Sequence, residues 1–355
     1  MKRFSIIFYC ALAILMAGCV KIVDTKSPVS AEDAWMYDES LPVPVQLGVA
    51  GTETKAAINS IEDIRNRTFG LFAFDKAAAD LSTDDGLMLR NLPATGVVAG
   101  SIGSLRLSEA YYYPIHSERE FSFYSYYAYP MKDVSCEITE TQALVTIPVT
   151  GINDVLWAEA EDGYNASYIR NGGAAPAFNY THATACLAFK ASISEAVDGT
   201  NVRLSSLKVV GPATATLCVA DIADPMNKGT FVARGEMTEK MALTDGYSGN
   251  LNLLLSETPQ RFCQDMFIVP GDQTVTVKAS FVIRSAGSDG ITDTSDDVIQ
   301  NTSNTVILRA GDDGEVFKAG YRYAYNLKMI SPSELTFTLG DEDQIEIEGY
   351  EPAFK

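Results

Sequence analysis

The residues able to do chemistry are few, and their spacing argues against an enzyme. The chain of 355 residues has two histidines, His116 and His182. Any Ser-His or Cys-His nucleophile must use one of them, and histidine-rich metal sites are nearly excluded. His182 opens a strand-like segment and His116 follows a tyrosine cluster, so each reads as structural. Gly246-Tyr247-Ser248-Gly249 lacks the spacing of a nucleophile elbow, and neither a P-loop nor a G-x-G-x-x-G run occurs. Acidic residues are too numerous for one pair to stand out as acid and base. Ser288-Asp289-Gly290-Ile291-Thr292-Asp293 with Ser295-Asp296-Asp297 offers clustered oxygen ligands. It lacks the terminal Glu and the helical flanks of an EF-hand, so a solvated hairpin turn is the favoured reading over calcium. No catalytic residue, metal ligand or cofactor is assigned.

Cys19 is the exception. Lys2 and Arg3 precede an apolar run from Phe4 to Ala17, which ends in Leu15-Met16-Ala17-Gly18-Cys19. The run is short for a membrane span and suits a secretory signal. Small residues at 17 and 18 fit a signal-peptidase groove, and a thiol next in line is where a diacylglyceryl thioether forms. The segment resembles a bacterial lipoprotein signal. Residues 1–18 are therefore read as a signal peptide, and Cys19 as the lipidated first residue of an outer-membrane protein. Val20 to Asp24 lack the acidic cluster often seen on surface-exported lipoproteins, so lipidation is better supported than display outside the cell. Beyond Cys19, Cys136, Cys186, Cys218 and Cys263 show no C-x-x-C spacing. They read mainly as small buried strand residues, although an exported chain could oxidise them.

The elements that carry these residues are strands. Lys+Arg number 27 against 46 Asp+Glu, a formal charge of −19, which argues against nucleic acid as a partner. Hydrophobic content of 46% with 21% charged residues describes a folded globular chain. Apolar residues alternate at Val43, Val45, Leu47 and Val49, and again at Ala143, Val145, Ile147 and Val149. They alternate at Ala183, Ala185, Leu187 and Phe189, from Val275 to Ile283, and from Tyr321 to Met329. Period two with one apolar face predicts antiparallel sheets packed face to face. Helical periodicity is weak, and the clearest segment is Ser60 to Asn66. Asn171-Gly172-Gly173-Ala174-Ala175-Pro176 interrupts both patterns. It predicts two β-sandwich domains, residues 19–175 and 176–355. The tyrosines of 111–113 and 124–129 could stack on glycans, but alternation favours some rings in a core and others on a sheet surface.

Several segments together resemble the fimbrillins of Bacteroidales, lipoprotein precursors of type V pili. They are Thr54-Lys55-Ala56 before the strand Phe69 to Phe74; Tyr113-Pro114 followed by FSFYSYYAYP (residues 121–130); His182 with its following strand; NVRLSSLKVVG (201–211); MFIVPG (266–271); and FKAGYRYAYNLKM (317–329). The resemblance implies two sandwiches of transthyretin-like topology, trimming by a trypsin-like protease, and polymerisation with other pilus subunits by donor-strand exchange. It also implies a cell-surface or pilus location and adhesion to a host or bacterial surface ligand. By this resemblance Lys55 is the first candidate for processing, with Arg65 and Arg67 as fallbacks. Val43, Val45, Leu47 and Val49 form the strand that processing would displace. Gln344 to Phe354 also alternates and reads first as the last strand of its own domain, with donation to a neighbour as the rival. The alternative function is an outer-membrane glycan-binding lipoprotein.

Overall fold

Alternation becomes strand wherever one face finds a partner. The structure is a computed structural model that describes residues 34–50, 61–83, 87–115, 117–128, 133–152, 154–195, 200–242, 251–311, 314–331 and 334–346. The chain divides into two units, residues 1–41 and 42–355. In the first, Ala34–Met36 forms a 3-10 turn, and the Asp38 carboxylate accepts the Ser40 N–H at 2.9 Å.

In chain order the strands of the second unit are β1 (Leu47–Val49), β2 (Thr68–Asp75), β3 (Leu87–Ala99), β4 (Ile102–Leu107), β5 (Phe121–Ala128), β6 (Ser135–Ile138), β7 (Gln142–Pro148), β8 (Val155–Tyr164), β9 (Ala177–Phe178), β10 (Thr181–His182), β11 (Ala185–Ile193), β12 (Thr200–Pro212), β13 (Thr214–Asp221), β14 (Phe231–Arg234), β15 (Met237–Met241), β16 (Leu253–Leu254), β17 (Gln260–Arg261), β18 (Met266–Ile268), β19 (Thr274–Ser285), β20 (Val298–Arg309), β21 (Tyr321–Ser331) and β22 (Glu334–Glu346). One short helix, α1 (Ala166–Arg170), is capped by Asn165, whose Oδ1 accepts the Tyr168 N–H at 2.7 Å.

Four sheets result. An eight-stranded sheet has the order β10-β8-β5-β2-β3-β4-β1-β9, and a four-stranded sheet the order β14-β13-β7-β6. Phe72, Phe74, Tyr124 and Tyr126 of the first pack with Val145, Ile147, Leu217 and Val219 of the second. The remaining two sheets have five strands each: β17-β11-β21-β22 with β18 also on β11, and β15-β12-β19-β20 with β16 also on β12. Phe189 and Tyr325 of one share a core with Leu204 and Phe281 of the other. The body is mostly antiparallel β, as expected. Two pairings are parallel, β1 with β9 and β11 with β21. The latter makes β11 an interior strand, buried at Cys186 and Ala188 as well as at Ala185, Leu187 and Phe189.

The eight-stranded sheet extends past residue 176. After that residue the chain still belongs to the eight-stranded sheet, because Gly48 pairs with Ala177 and His182 with Leu156. A longer excursion follows. β12 and β13 are separated only by Ala213 and run from the five-stranded sheet of β12 into the four-stranded sheet of β13. β14 and β15 return alongside them, with Ala213 N–H donating to Glu236 O at 2.7 Å and Gly235 N–H to Thr214 O at 2.8 Å. This continuous ribbon ties both cores together through backbone hydrogen bonds.

Within β5 the expected split of tyrosines between core and surface fails. All eight residues of β5 are buried, because the sheet is covered on both faces. Tyr124 and Tyr126 face the four-stranded sheet. Tyr127, on the opposite face, packs on Phe69, which also meets Tyr180 at 5.1 Å between ring centroids. Phe123 lies against Tyr113 and Tyr164 on that same side. Tyr112 is the exposed member, at 48%. The expected helix at 60–66 is a 3-10 turn, Ile61–Ile64, and Ser60 lies outside the described residues.

Candidate functional site

The first strand of the second unit is held on both sides. Pro42 and Pro44 cannot donate backbone bonds, so Val43 to Ala50 is biased toward an extended path. On one side Val45 N–H donates to Tyr111 O at 2.8 Å and Tyr113 N–H to Val43 O at 2.9 Å. The ladder then continues with Leu47 opposite Leu105 and Val49 opposite Gly103. On the other side Gly48 N–H donates to Pro176 O at 2.8 Å and Ala50 N–H to Phe178 O at 2.9 Å. Val43, Leu47 and Val49 are buried, whereas Val45 is half-buried and lines an open groove with Val97, Ile102, Arg106 and Tyr111. Strand register puts Leu47 and Val49 on the sheet face that also carries Leu105, Phe69, Tyr127 and Phe178. Removing this segment would leave β4 and β9 without their shared neighbour and uncover that apolar face.

The connection to β2 carries the basic residues. Cys19 and Lys55 lie outside the described residues. Arg65 is exposed, and its guanidinium reaches Glu62 with Nε–Oε2 at 2.7 Å and Nη2–Oε1 at 2.8 Å. The hydrogen bond from Arg65 holds the Glu62 carboxyl below its usual range. Asn66 takes a left-handed conformation, φ 60°, and donates to Gly96 O at 2.9 Å. The Arg67 carbonyl accepts the Gly96 N–H at 2.8 Å. A protease needs the scissile bond free and extended, and the Arg67–Thr68 bond is pinned to β3.

The other chemistry-bearing residues lie in strands and in the connections between them. His182 Nδ1 lies 2.7 Å from Asp154 Oδ2, and Thr184 Oγ1 donates to Asp154 Oδ1 at 2.7 Å. His182 and Asp154 side chains are each 5% exposed. His116 lies outside the described residues. The four body cysteines are free thiols. Cys186, Cys218 and Cys263 are buried and Cys136 is exposed. Burial pushes the Cys186 thiol well up and the Cys218 thiol up to about 12, so neither is a thiolate at neutral pH. The 288–297 segment connects the β19–β20 hairpin, and its Asp296 carboxylate accepts from Ser288 N at 2.7 Å and from Thr294 Oγ1 at 2.8 Å. β22 pairs antiparallel with β21 as far as Glu346 opposite Tyr321, so Gln344 to Glu346 belong to the chain's own sheet, and residues 347–354 lie outside the described residues.

Two neighbours of the first strand escaped the sequence reading. β9 is only two residues long, below any periodicity signal. Tyr111 and Tyr113 stood out as aromatics, while their part here is played by backbone groups.

No curated protein matches the chain. Among solved structures, a fimbrial protein from Bacteroides vulgatus is 15% identical, with 85% of this chain and 99% of that one covered at a TM-score of 0.56. A fimbrial assembly protein from Parabacteroides distasonis is 12% identical over 84% and 95% of the two chains, with a TM-score of 0.39. The fimbrial anchor protein Mfa2 from Porphyromonas gingivalis is 9% identical over 84% and 95%, with a TM-score of 0.36. The first of these likenesses shows a common fold. The sequence pattern described as fimbrillin-like matches residues 54–342, and the chain belongs to that family.

Proposed function

We propose that this chain is a lipidated subunit of a cell-surface pilus that assembles by donor-strand exchange and serves adhesion. Cys19 carries the lipid and tethers the precursor to the outer membrane. A trypsin-like protease cuts after Lys55, the Val43–Val49 strand departs, and an extended segment of a neighbouring subunit takes its place. The other partners are a host or bacterial surface ligand and further pilus subunits. Neither a cofactor nor catalysis is invoked.

The observation that carries this reading is the setting of β1. It is the first strand of its unit, and two short ladders flank it. Its side chains supply part of an apolar face, so its loss exposes both a backbone edge and a hydrophobic groove. Arg65 and Arg67 serve less well for trimming, because one is drawn to Glu62 and the other's carbonyl is bonded to Gly96. A glycan platform finds less support, since Tyr113, Tyr124, Tyr126 and Tyr127 are buried.

The test is limited trypsin treatment of the purified full-length protein. Cleavage after Lys55 is expected to release a fragment containing Val43 to Val49 and to yield oligomers stable in mild detergent. Lys55→Ala is expected to remain uncut there and monomeric. A nicked protein that keeps its first strand and stays monomeric refutes the assembly reading.

A further inference from the structure

Edge strands of sheets invite pairing, and proteins blunt them with charge or brevity. Most edges here follow that rule. β9, β10 and β17 are two residues long. β14 and β15 carry Arg234, Glu239 and Lys240, and β22 carries Asp341, Glu342, Asp343 and Glu346. β20 does not. It is 12 residues long, and among the described residues it pairs with β19 alone. From Val298 to Leu308 it has no charged residue, in a chain with a formal charge of −19. Val298, Ile299 and Ile307 are 65%, 53% and 61% exposed.

The order of side chains along this edge is close to its own mirror image. Its outward face reads Ile299, Asn301, Ser303, Thr305, Ile307, all exposed. Antiparallel pairing of two copies about Ser303 sets Ile299 opposite Ile307 and Asn301 opposite Thr305. On the other face Val298 meets Leu308, and Thr302 meets Asn304. One step beyond the apolar ends, Asp297 of each copy comes opposite Arg309 of its mate. Apart from Gln300 opposite Val306, the aliphatic, polar and ionic positions match under one two-fold operation, which is the condition for an isologous interface.

We propose that β20 is a lateral docking edge for a second copy of this chain, joined antiparallel about Ser303. The contact adds strands side by side and joins the two sheets into one. It goes beyond the strand exchange proposed above and needs neither trimming nor the Val43–Val49 segment.

The test uses uncut full-length protein in mild detergent, studied by sedimentation velocity, so that its outcome is separate from that of strand exchange. The wild type is expected to show a concentration-dependent dimer. Ser303→Lys places two ammonium groups face to face at the two-fold axis and is expected to weaken the dimer at least about tenfold. Directly opposed residues of an antiparallel pair have Cα atoms about 4.5–5.5 Å apart, within disulfide range. With Cys136→Ser in place, Ser303→Cys is therefore expected to cross-link between copies on mild oxidation, and Asn301→Cys alone far less. A monomeric wild type, a dimer indifferent to Ser303→Lys, or equal cross-linking at 301 and 303 would overturn the proposal. So would a dimer that appears only after deletion of residues 347–355, which would assign the edge to the chain's own terminus.

Discussion

Replacing Leu47 by Ala tests whether packing holds the first strand after the chain is cut. Leu47 is 4% exposed and stands opposite Leu105, within a segment whose backbone is bonded to Tyr111, Tyr113, Pro176 and Phe178. The substitution leaves those bonds in place and removes three buried carbons. A buried Leu→Ala change costs about 2–5 kcal/mol, the upper part of the range applying where the cavity does not collapse. In the intact chain that loss lowers the melting temperature. In the nicked chain it becomes a loss of affinity between the cut strand and its groove, and 2 kcal/mol is already about 30-fold. Most of such a difference appears in the rate of departure. The assay is trypsin nicking followed by timed size exclusion, with the released fragment identified by mass. Val45→Ala is the control, because Val45 is only half-buried and is expected to have the smaller effect. Equal release rates for wild type and Leu47→Ala, or a larger effect at Val45, would refute the reasoning.

Two further changes probe the surroundings. A Cβ at Gly96 would sit 1.9 Å from the Ile64 carbonyl oxygen, a backbone atom that cannot step aside alone. Gly96→Ala is therefore expected to lift the Ile61–Arg67 turn, cost about 1–3 kcal/mol, and open Arg65 and Arg67 to trypsin, and an unchanged fragment pattern would contradict this. Lys228 Nζ bridges Glu159 and Glu161, each at 2.7 Å, and Tyr124 donates to Glu161. Burial pushes Glu161 up, yet the bonds from Lys228 and Tyr124 outweigh it and hold its carboxyl low. Burial likewise lowers Lys228, but the two carboxylates outweigh it and raise its pKa. A depressed acid contributes stability above its unfolded pKa of about 4.3, and a raised base contributes below its own of about 10.4. Lys228→Met is thus expected to cost about 1 kcal/mol, after allowance for solvent screening. The cost should persist across that window and shrink in denaturant melts at lower and higher pH, whereas a pH-independent cost would show that lost packing, not charge, is responsible.

Legibility followed burial. Val275, Val277, Ala279, Phe281 and Ile283 read plainly as a strand, because β19 has one face in the core and the other toward solvent. FSFYSYYAYP misled on orientation, because β5 is covered on both faces and alternation then separates two interiors rather than inside from outside. The glycine- and proline-containing stretch at 171–176 was legible as an interruption. That the chain returns to the same sheet through Ala177 and His182 was not, because two-residue strands are fixed by neighbours and not by local preference. The ribbon passes straight through Gly211 and Pro212 from one sheet to another, held by Met237 and Glu236 on the returning strand.

By itself the sequence determined that strands would dominate, that the chain would be acidic, and that its thiols and two histidines would be scattered along it. These follow from side-chain chemistry and period-two spacing, which need no knowledge of partners. Only the tertiary structure decided which strands lie together: that the first strand is clasped between Tyr111–Leu105 on one side and Pro176–Phe178 on the other, and that β20 is left at an edge. Pairing across the chain depends on backbone groups identical in every residue, and so it leaves little trace in the identity of the side chains.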